Sequence, residues 1–284
     1  MGDFYETFYE DALVTARALD LTLTSRSKDS AGSAIPMCGV PHHAADGYIA
    51  RLVKKGFRVA ICEQVEDPKK TKGLIRREVV RVVSPGTLTD ASYLEEREPA
   101  FLMAINVVFG TCNAAKKQLL NNSTSNIDSK MIFGTALLDL STGEFTAAEY
   151  PGEVGRQTLT DEISVINPKE LILSTDFDLS VHLPDVRASD LTLTTTEPSY
   201  FETMRAEQSL LDQFRVAGLQ GFGLVGHTCA IEAAGALIQY VRHTQPGNLS
   251  HIRQVLFRQL SDKLIIDATR LIAISIYLHL NDYF

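Results

Sequence analysis

A chain of 284 residues, 45% hydrophobic and 22% charged, is long enough for two cores and has the make-up of a globular protein, not a disordered or fibrous one. No apolar run reaches the length of a membrane span, and the start lacks the charged, apolar and small-residue order of a signal peptide, so a cytoplasmic protein is expected. The net charge of −8 is unevenly spread: Arg51 to Arg81 holds ten basic and four acidic residues, whereas residues 101–284 carry 13 basic and 20 acidic, so a local basic stripe can still meet phosphates.

In chain order, Gly2-Asp3-Phe4-Tyr5-Glu6 reads as a turn opening a helix, with Asp3 as N-cap, Glu6 three residues on, and Phe8, Ala12, Ala16 and Leu19 at helical spacing. Phe4 falls before the first turn, where its own helix cannot bury it; without other information it is a hydrophobic staple and Glu6 a cap. Leu21–Thr24 alternates as a strand, and 25–33 is a polar loop carrying Arg26 and Lys28. Ile35–Pro41 is extended because each proline disfavours helix in the residue before it. His42 and His43 read as the start of a helix over 44–55 and not as metal ligands. Gly56 ends that helix, 57–63 and 77–83 are strands around a Lys-rich loop, and Ser84-Pro85-Gly86 is a turn.

Residues 87–100 form a polar, acidic linker. Beyond it come a strand at 101–108, an Asn/Ser-rich stretch within 110–130, a hairpin over 134–148, a helix over 153–166 stopped by Asn167-Pro168, a buried strand at 170–173, a strand at 191–195, a helix over 201–214 and an amphipathic helix over 228–244. Strand, helix, strand in that order implies parallel pairing. Cys38, Cys62, Cys112 and Cys229 are far apart with no C-x-x-C, which suits free, buried thiols and gives no zinc site.

Several of these stretches resemble, in order and spacing, the MutS family of DNA mismatch repair proteins: Gly2-Asp3-Phe4-Tyr5-Glu6 with Phe8, Ile35–Pro41, Ala60-Ile61-Cys62-Glu63-Gln64-Val65, Val80–Thr87, Asn167–Ile172 and Ala233–Tyr240. The resemblance implies an α/β protein: a small mixed α/β mismatch-binding domain at 1–86, a linker at 87–100, a ribonuclease-H-like connector domain with a largely parallel sheet at 101–260, and the start of a helical lever segment at 261–284 that leaves the family pattern after Arg270. It implies that Phe4 enters the minor groove and stacks on a mispaired base, that Glu6 hydrogen-bonds that base, and that Arg26, Met37 and Arg77 touch DNA nearby. The chemistry is consistent: a wedge costs less where a base is already mispaired or looped out.

The same resemblance implies a double-stranded DNA partner with mismatches or small loops, and, in the full-length family, ATP and Mg as cofactors, homodimerisation and a MutL-type partner. The chain departs from the family at both ends. About thirty residues usually precede the motif, 113–130 reads as an insertion, and no G-x-x-x-x-G-K-[ST] loop is present, so neither ATPase activity nor a cofactor is expected of this stretch. Two alternatives stand beside DNA recognition. One is a metal-dependent nuclease on the ribonuclease-H-like domain using Asp139, Glu144 and Glu170, which needs converging carboxylates. The other is a truncated or frame-shifted product without function.

Overall fold

The structure is a computed structural model and describes residues 4–26, 28, 30, 32–66, 76–87, 100–109, 131–245 and 249–259. They divide between two compact units, one within Met1–Glu98 joined by Thr244–Pro246, the other within Pro99–His243 and Gly247–Phe284. The expected loop at 67–75, most of the linker, the Asn/Ser-rich stretch at 110–130 and the lever segment from 260 onward lie outside the described residues.

The first unit contains β1 (Phe4–Phe8), α1 (Tyr9–Leu19), β2 (Met37–Pro41), α2 (Ala45–Lys54), β3 (Val59–Gln64) and β4 (Arg77–Val83). β1 pairs antiparallel with β2, and β3 with β4, as two separate two-stranded sheets. Its small core gathers Ala18 and Leu19 of α1, Leu52 of α2, and partly buried Leu21, Val40, Tyr48 and Val59. Two expectations fail here. Phe4–Phe8 is a strand and not the first turn of a helix, so Glu6 caps nothing; α1 begins at Tyr9, after an extended Phe8. Leu21–Thr24 makes only the single bridge Thr24↔Met37, on the edge of β2 that β1 leaves open. The turn after β4 forms as expected, with Thr87 folded back into it: its hydroxyl accepts from the Ser84 amide at 2.8 Å, and Thr87 is fully buried.

The second unit is built on one six-stranded sheet: β5 (Phe101–Phe109), β6 (Met131–Asp139), β7 (Phe145–Pro151), β8 (Glu170–Ser174), β9 (Leu193–Thr196) and β10 (Leu256–Arg258), in the order β10-β7-β6-β5-β8-β9. The β5-β6-β7 meander is antiparallel; β8 and β9 add in parallel beside β5, and β10 in parallel beside β7. An antiparallel meander extended by parallel strands is a ribonuclease-H-like arrangement. Alternation of side chains assigns the two faces. Leu102, Ala104, Ala136, Leu138 and Ile172 pack toward α5 (Thr203–Phe214) and α6 (Thr228–Thr244). Met103, Ile105, Phe133, Leu171 and Leu173 pack toward α3 (Gly152–Ile166) and α4 (Leu179–His182).

α6 was expected to be amphipathic and is instead buried on nearly every side between residues 229 and 241. Small residues permit this. A Cβ on Gly134 of β6 would lie 2.0 Å from the Cys229 carbonyl oxygen, and one on Gly235 would lie 2.3 Å from Ala206 Cα. The helix therefore lies backbone-close to the sheet on one side and to α5 on the other. Its first turn is fixed by Glu149 of β7, whose carboxylate accepts from the Ala230 amide at 3.2 Å and meets His227 Nδ1 at 2.9 Å. Burial pushes the Cys229 thiol well above its ordinary pKa, and the thiol lies 3.2 Å from the Ile132 carbonyl as a donor. Cys38 is likewise buried, but Cys62 is exposed: β3 turns Cys62 away from the core.

Candidate nucleic-acid interface

β1 is a five-residue strand with the burial alternation of a half-covered ribbon. Phe4, Glu6 and Phe8 face one way, and Tyr5 and Thr7 the other. Cross-strand partners extend the first face: Phe4 stands opposite Pro41, Glu6 opposite Gly39 and Phe8 opposite Met37. Gly39 matters because it is bare. A Cβ there would lie 3.5 Å from Phe4 Cδ1 and 3.9 Å from Glu6 Cγ, so the ring and the carboxylate stem lie over backbone. Phe4 remains 58% exposed, a large ring presented to solvent at the end of a strand.

The opposite face anchors the strand. The Tyr5 ring stacks on His42, with centroids 5.2 Å apart and planes 17° from parallel, and its hydroxyl donates to Glu63 of β3. That hydrogen bond is the main reason the Tyr5 pKa is pushed up to about 12, with burial and the Glu63 charge adding to it. The strand then turns sharply into α1 at Tyr9, a non-glycine residue with φ of 55° whose amide donates to the Pro36 carbonyl at 3.0 Å. A left-handed residue of this kind costs about 1–2 kcal/mol, which the surrounding hydrogen bonds must offset.

Arg26 Nη1 lies 3.1 Å from Glu6 Oε1, with the two side chains 68% and 30% exposed. Phe4, Glu6 and Arg77 line a common cleft of about 470 Å³, bounded also by α2 and β3. Arg77 and Arg81 of β4 have no ion pair among the described residues. Of the five residues singled out from the sequence, Phe4, Glu6 and Arg77 thus border one cleft, and Arg26 meets Glu6 outside it. Met37 differs: it shares the face of Phe4 and Glu6 by register but is only 6% exposed, so it does not present itself to a ligand. Part of the basic stripe is also structural, because the side chains of Arg51 and Lys55 donate to the Leu19 and Ala18 carbonyls at the end of α1. Tyr5, Gly39 and Glu63 were not singled out from the sequence, where the run Phe4-Tyr5-Glu6 shows no alternation.

The carboxylates of the nuclease alternative are engaged elsewhere. Asp139, 3% exposed, accepts from the Ser141 amide at 2.8 Å and hydroxyl at 2.7 Å and so closes the β6–β7 turn. Glu170 is fully buried on β8 and accepts from Thr194 and Tyr240, each at 2.6 Å. Glu144 is exposed. Among the described residues no three His, Cys, Asp or Glu side chains are grouped to hold a metal ion, and no helix is long and apolar enough to cross a membrane.

Residues 1–92 match the family described as MutS domain I, and residues 115–253 match MutS domain II. Curated proteins named "DNA mismatch repair protein MutS" are similar along nearly the whole chain. The one from Syntrophobacter fumaroxidans is 42% identical over 269 residues, 94% of this chain and 27% of that protein. The one from Rhodopirellula baltica is 43% identical over 272 residues, 94% of this chain and 29% of that protein. The one from Syntrophomonas wolfei is 38% identical over 257 residues, 90% of this chain and 27% of that protein. This chain spans between a quarter and a third of the length of these relatives.

Proposed function

Because this chain belongs to the MutS family and covers its domains I and II, we propose that its first unit recognises mismatched or looped-out bases in duplex DNA, in the service of DNA mismatch repair. The observation that carries this reading is Phe4: a ring 58% exposed, beside a carboxylate, on a strand anchored from behind by Tyr5. Phe4 enters the minor groove and stacks on the unpaired base; a base has a π-face whatever its identity, so the contact tolerates many mismatches. Glu6 takes a hydrogen bond with the same base. Arg26 beside it offsets the repulsion between that carboxylate and the flanking phosphates. Arg77 and Arg81 supply phosphate contacts that carry no sequence information.

The ATP- and Mg-dependent steps, the homodimer and the MutL-type partner are proposed for the family's longer chains. A cytoplasmic setting belongs to the same proposal. The test is binding of the intact chain to matched and G·T duplexes at two salt concentrations. Phe4→Ala is expected to lose about 1–3 kcal/mol, mostly from the mismatch complex. Arg77→Ala is expected to weaken both duplexes evenly and flatten the salt dependence. A mismatch-to-match ratio unchanged by Phe4→Ala would reduce Phe4 to a packing residue and overturn the reading.

A further inference from the structure

A second concentration of positive charge lies in the other unit, far in sequence from the stripe at 51–81. The last turn of α5, its C-cap Arg215, the end of α6 and residues 249–253 enclose a cleft of about 410 Å³ lined by Arg215, Arg242 and Arg253, with Asp212 as its one carboxylate among the described residues. Gln213 builds the wall. Its amide nitrogen donates to the Leu249 carbonyl at 2.9 Å and the Ile252 carbonyl at 3.1 Å, while its oxygen accepts from Arg242 Nη2 at 3.0 Å. The half-buried Arg242 guanidinium is thereby oriented along the wall of the cleft. Arg215 and Arg253 are exposed, and their side chains have no hydrogen bond or ion pair among the described residues. Asp212 is partly occupied by Gln208 Nε2 at 2.7 Å.

Arg215 is, like Asp20 and Asn167, a non-glycine residue that ends its helix in the left-handed region. It ends α5 at φ 55° and ψ 45°, where glycine is the unstrained choice. Its long charged side chain lines the cleft together with two other guanidiniums.

We propose that this cleft seats an acidic peptide segment of a protein partner, its neighbouring carboxylates held by Arg215, Arg242 and Arg253. A planar guanidinium pairs with a planar carboxylate through two parallel hydrogen bonds. A nucleic-acid occupant is disfavoured by the surroundings: residues 101–284 carry 20 acidic and 13 basic residues, a field that opposes a polyanion charged along its whole length. A short acidic segment samples mainly the local potential, within a screening length of about 8 Å.

The experiment is fluorescence anisotropy of a fluorescein-labelled hexaglutamate peptide with the intact chain at low salt, and the same-length glutamine peptide as reference. Arg215→Gly is the informative variant, because it removes the charge while relieving the backbone, so the chain stays folded with an equal or higher melting temperature. The parent is expected to bind hexaglutamate and not the glutamine peptide. Arg215→Gly and Arg253→Gln are each expected to weaken it by about fivefold. Inorganic phosphate and a single-stranded oligonucleotide at matched ionic strength are expected to compete poorly. Hexaglutamate binding within twofold of the parent in Arg215→Gly, or equal displacement by phosphate or by the oligonucleotide, would overturn the assignment to an acidic peptide.

Discussion

The close approach of α6 to Gly134 sets up a sharp test of how the second unit is held together. Replacing Gly134 with alanine puts a Cβ 2.0 Å from the Cys229 carbonyl oxygen, 2.2 Å from its carbon and 2.8 Å from the Ala230 nitrogen. Real Cβ contacts essentially never fall below 3.0 Å, so the start of α6 must move out by about 1 Å at least. The obstacle is main chain, and no rotamer change relieves it. That displacement pulls the Ala230 amide from Glu149 and the Cys229 thiol from the Ile132 carbonyl, and it lifts a helix packed on both sides. Overpacking costs typically 1–3 kcal/mol; with no soft neighbour, about 3 kcal/mol is expected here. For a unit of this size that is a fall of about 6–12 °C in melting temperature. Circular dichroism on heating measures it, with Gly221→Ala as control, since a Cβ there meets nothing within 4 Å. The control is expected to melt at or slightly above the parent. If Gly134→Ala melts within about 2 °C of the parent, α6 is not seated against the sheet as described.

Two further outcomes concern buried carboxylates of the same unit. Burial, more than any other influence, raises the Glu232 pKa against the lowering hydrogen bonds from Thr203 and Asn106. Its folded state therefore keeps a proton after the unfolded chain has lost one: the stabilisation is full below the unfolded pKa and disappears as pH rises through the folded pKa. Glu232→Gln should gain melting temperature relative to the parent as pH is raised from about 4 to about 7, and a constant difference across that range would contradict the assignment. Tyr240→Phe removes one of the donors to the fully buried Glu170 and should cost about 1–3 kcal/mol, read as a lower urea midpoint; an unmoved midpoint would show that Glu170 does not depend on it.

The elements that were legible in the sequence are those that carry their own punctuation. β4 at 77–83 and α6 at 228–244 match expectation to the residue because alternation or helical periodicity is bounded by Ser84-Pro85-Gly86 in one case and Gly226 and Pro246-Gly247 in the other. β1 was misread because nearly every position is aromatic or acidic, which blurs period two, and because its strand character comes from pairing with β2 about thirty residues away. β10 was missed for the same reason: three residues become a strand only beside β7. Buriedness all round α6 was hidden in Gly134 and Gly235, whose significance lies in what approaches them. At the candidate interface, Phe4, Glu6, Arg26 and Arg77 were named from resemblance; the bare floor at Gly39 and the Tyr5–Glu63 tie arise from strand register and side-chain geometry that spacing alone does not encode.

The position of β10 has a consequence for how the chain is made. β10 borders β7 from residues 256–258, and Arg258 then ion-pairs with Glu162 on α3. A ribosome reaches Arg258 only after roughly a hundred residues have followed Pro151 at the end of β7, a delay of roughly 5–20 s at ordinary rates of synthesis. Throughout that interval Thr146, Ala147 and Ala148 present an unpaired strand edge, the kind of surface on which nascent chains stick to one another. The second unit therefore acquires its protected border late in translation, and a pause between residues 151 and 258 prolongs the period in which a trigger-factor-like holdase has something to shield.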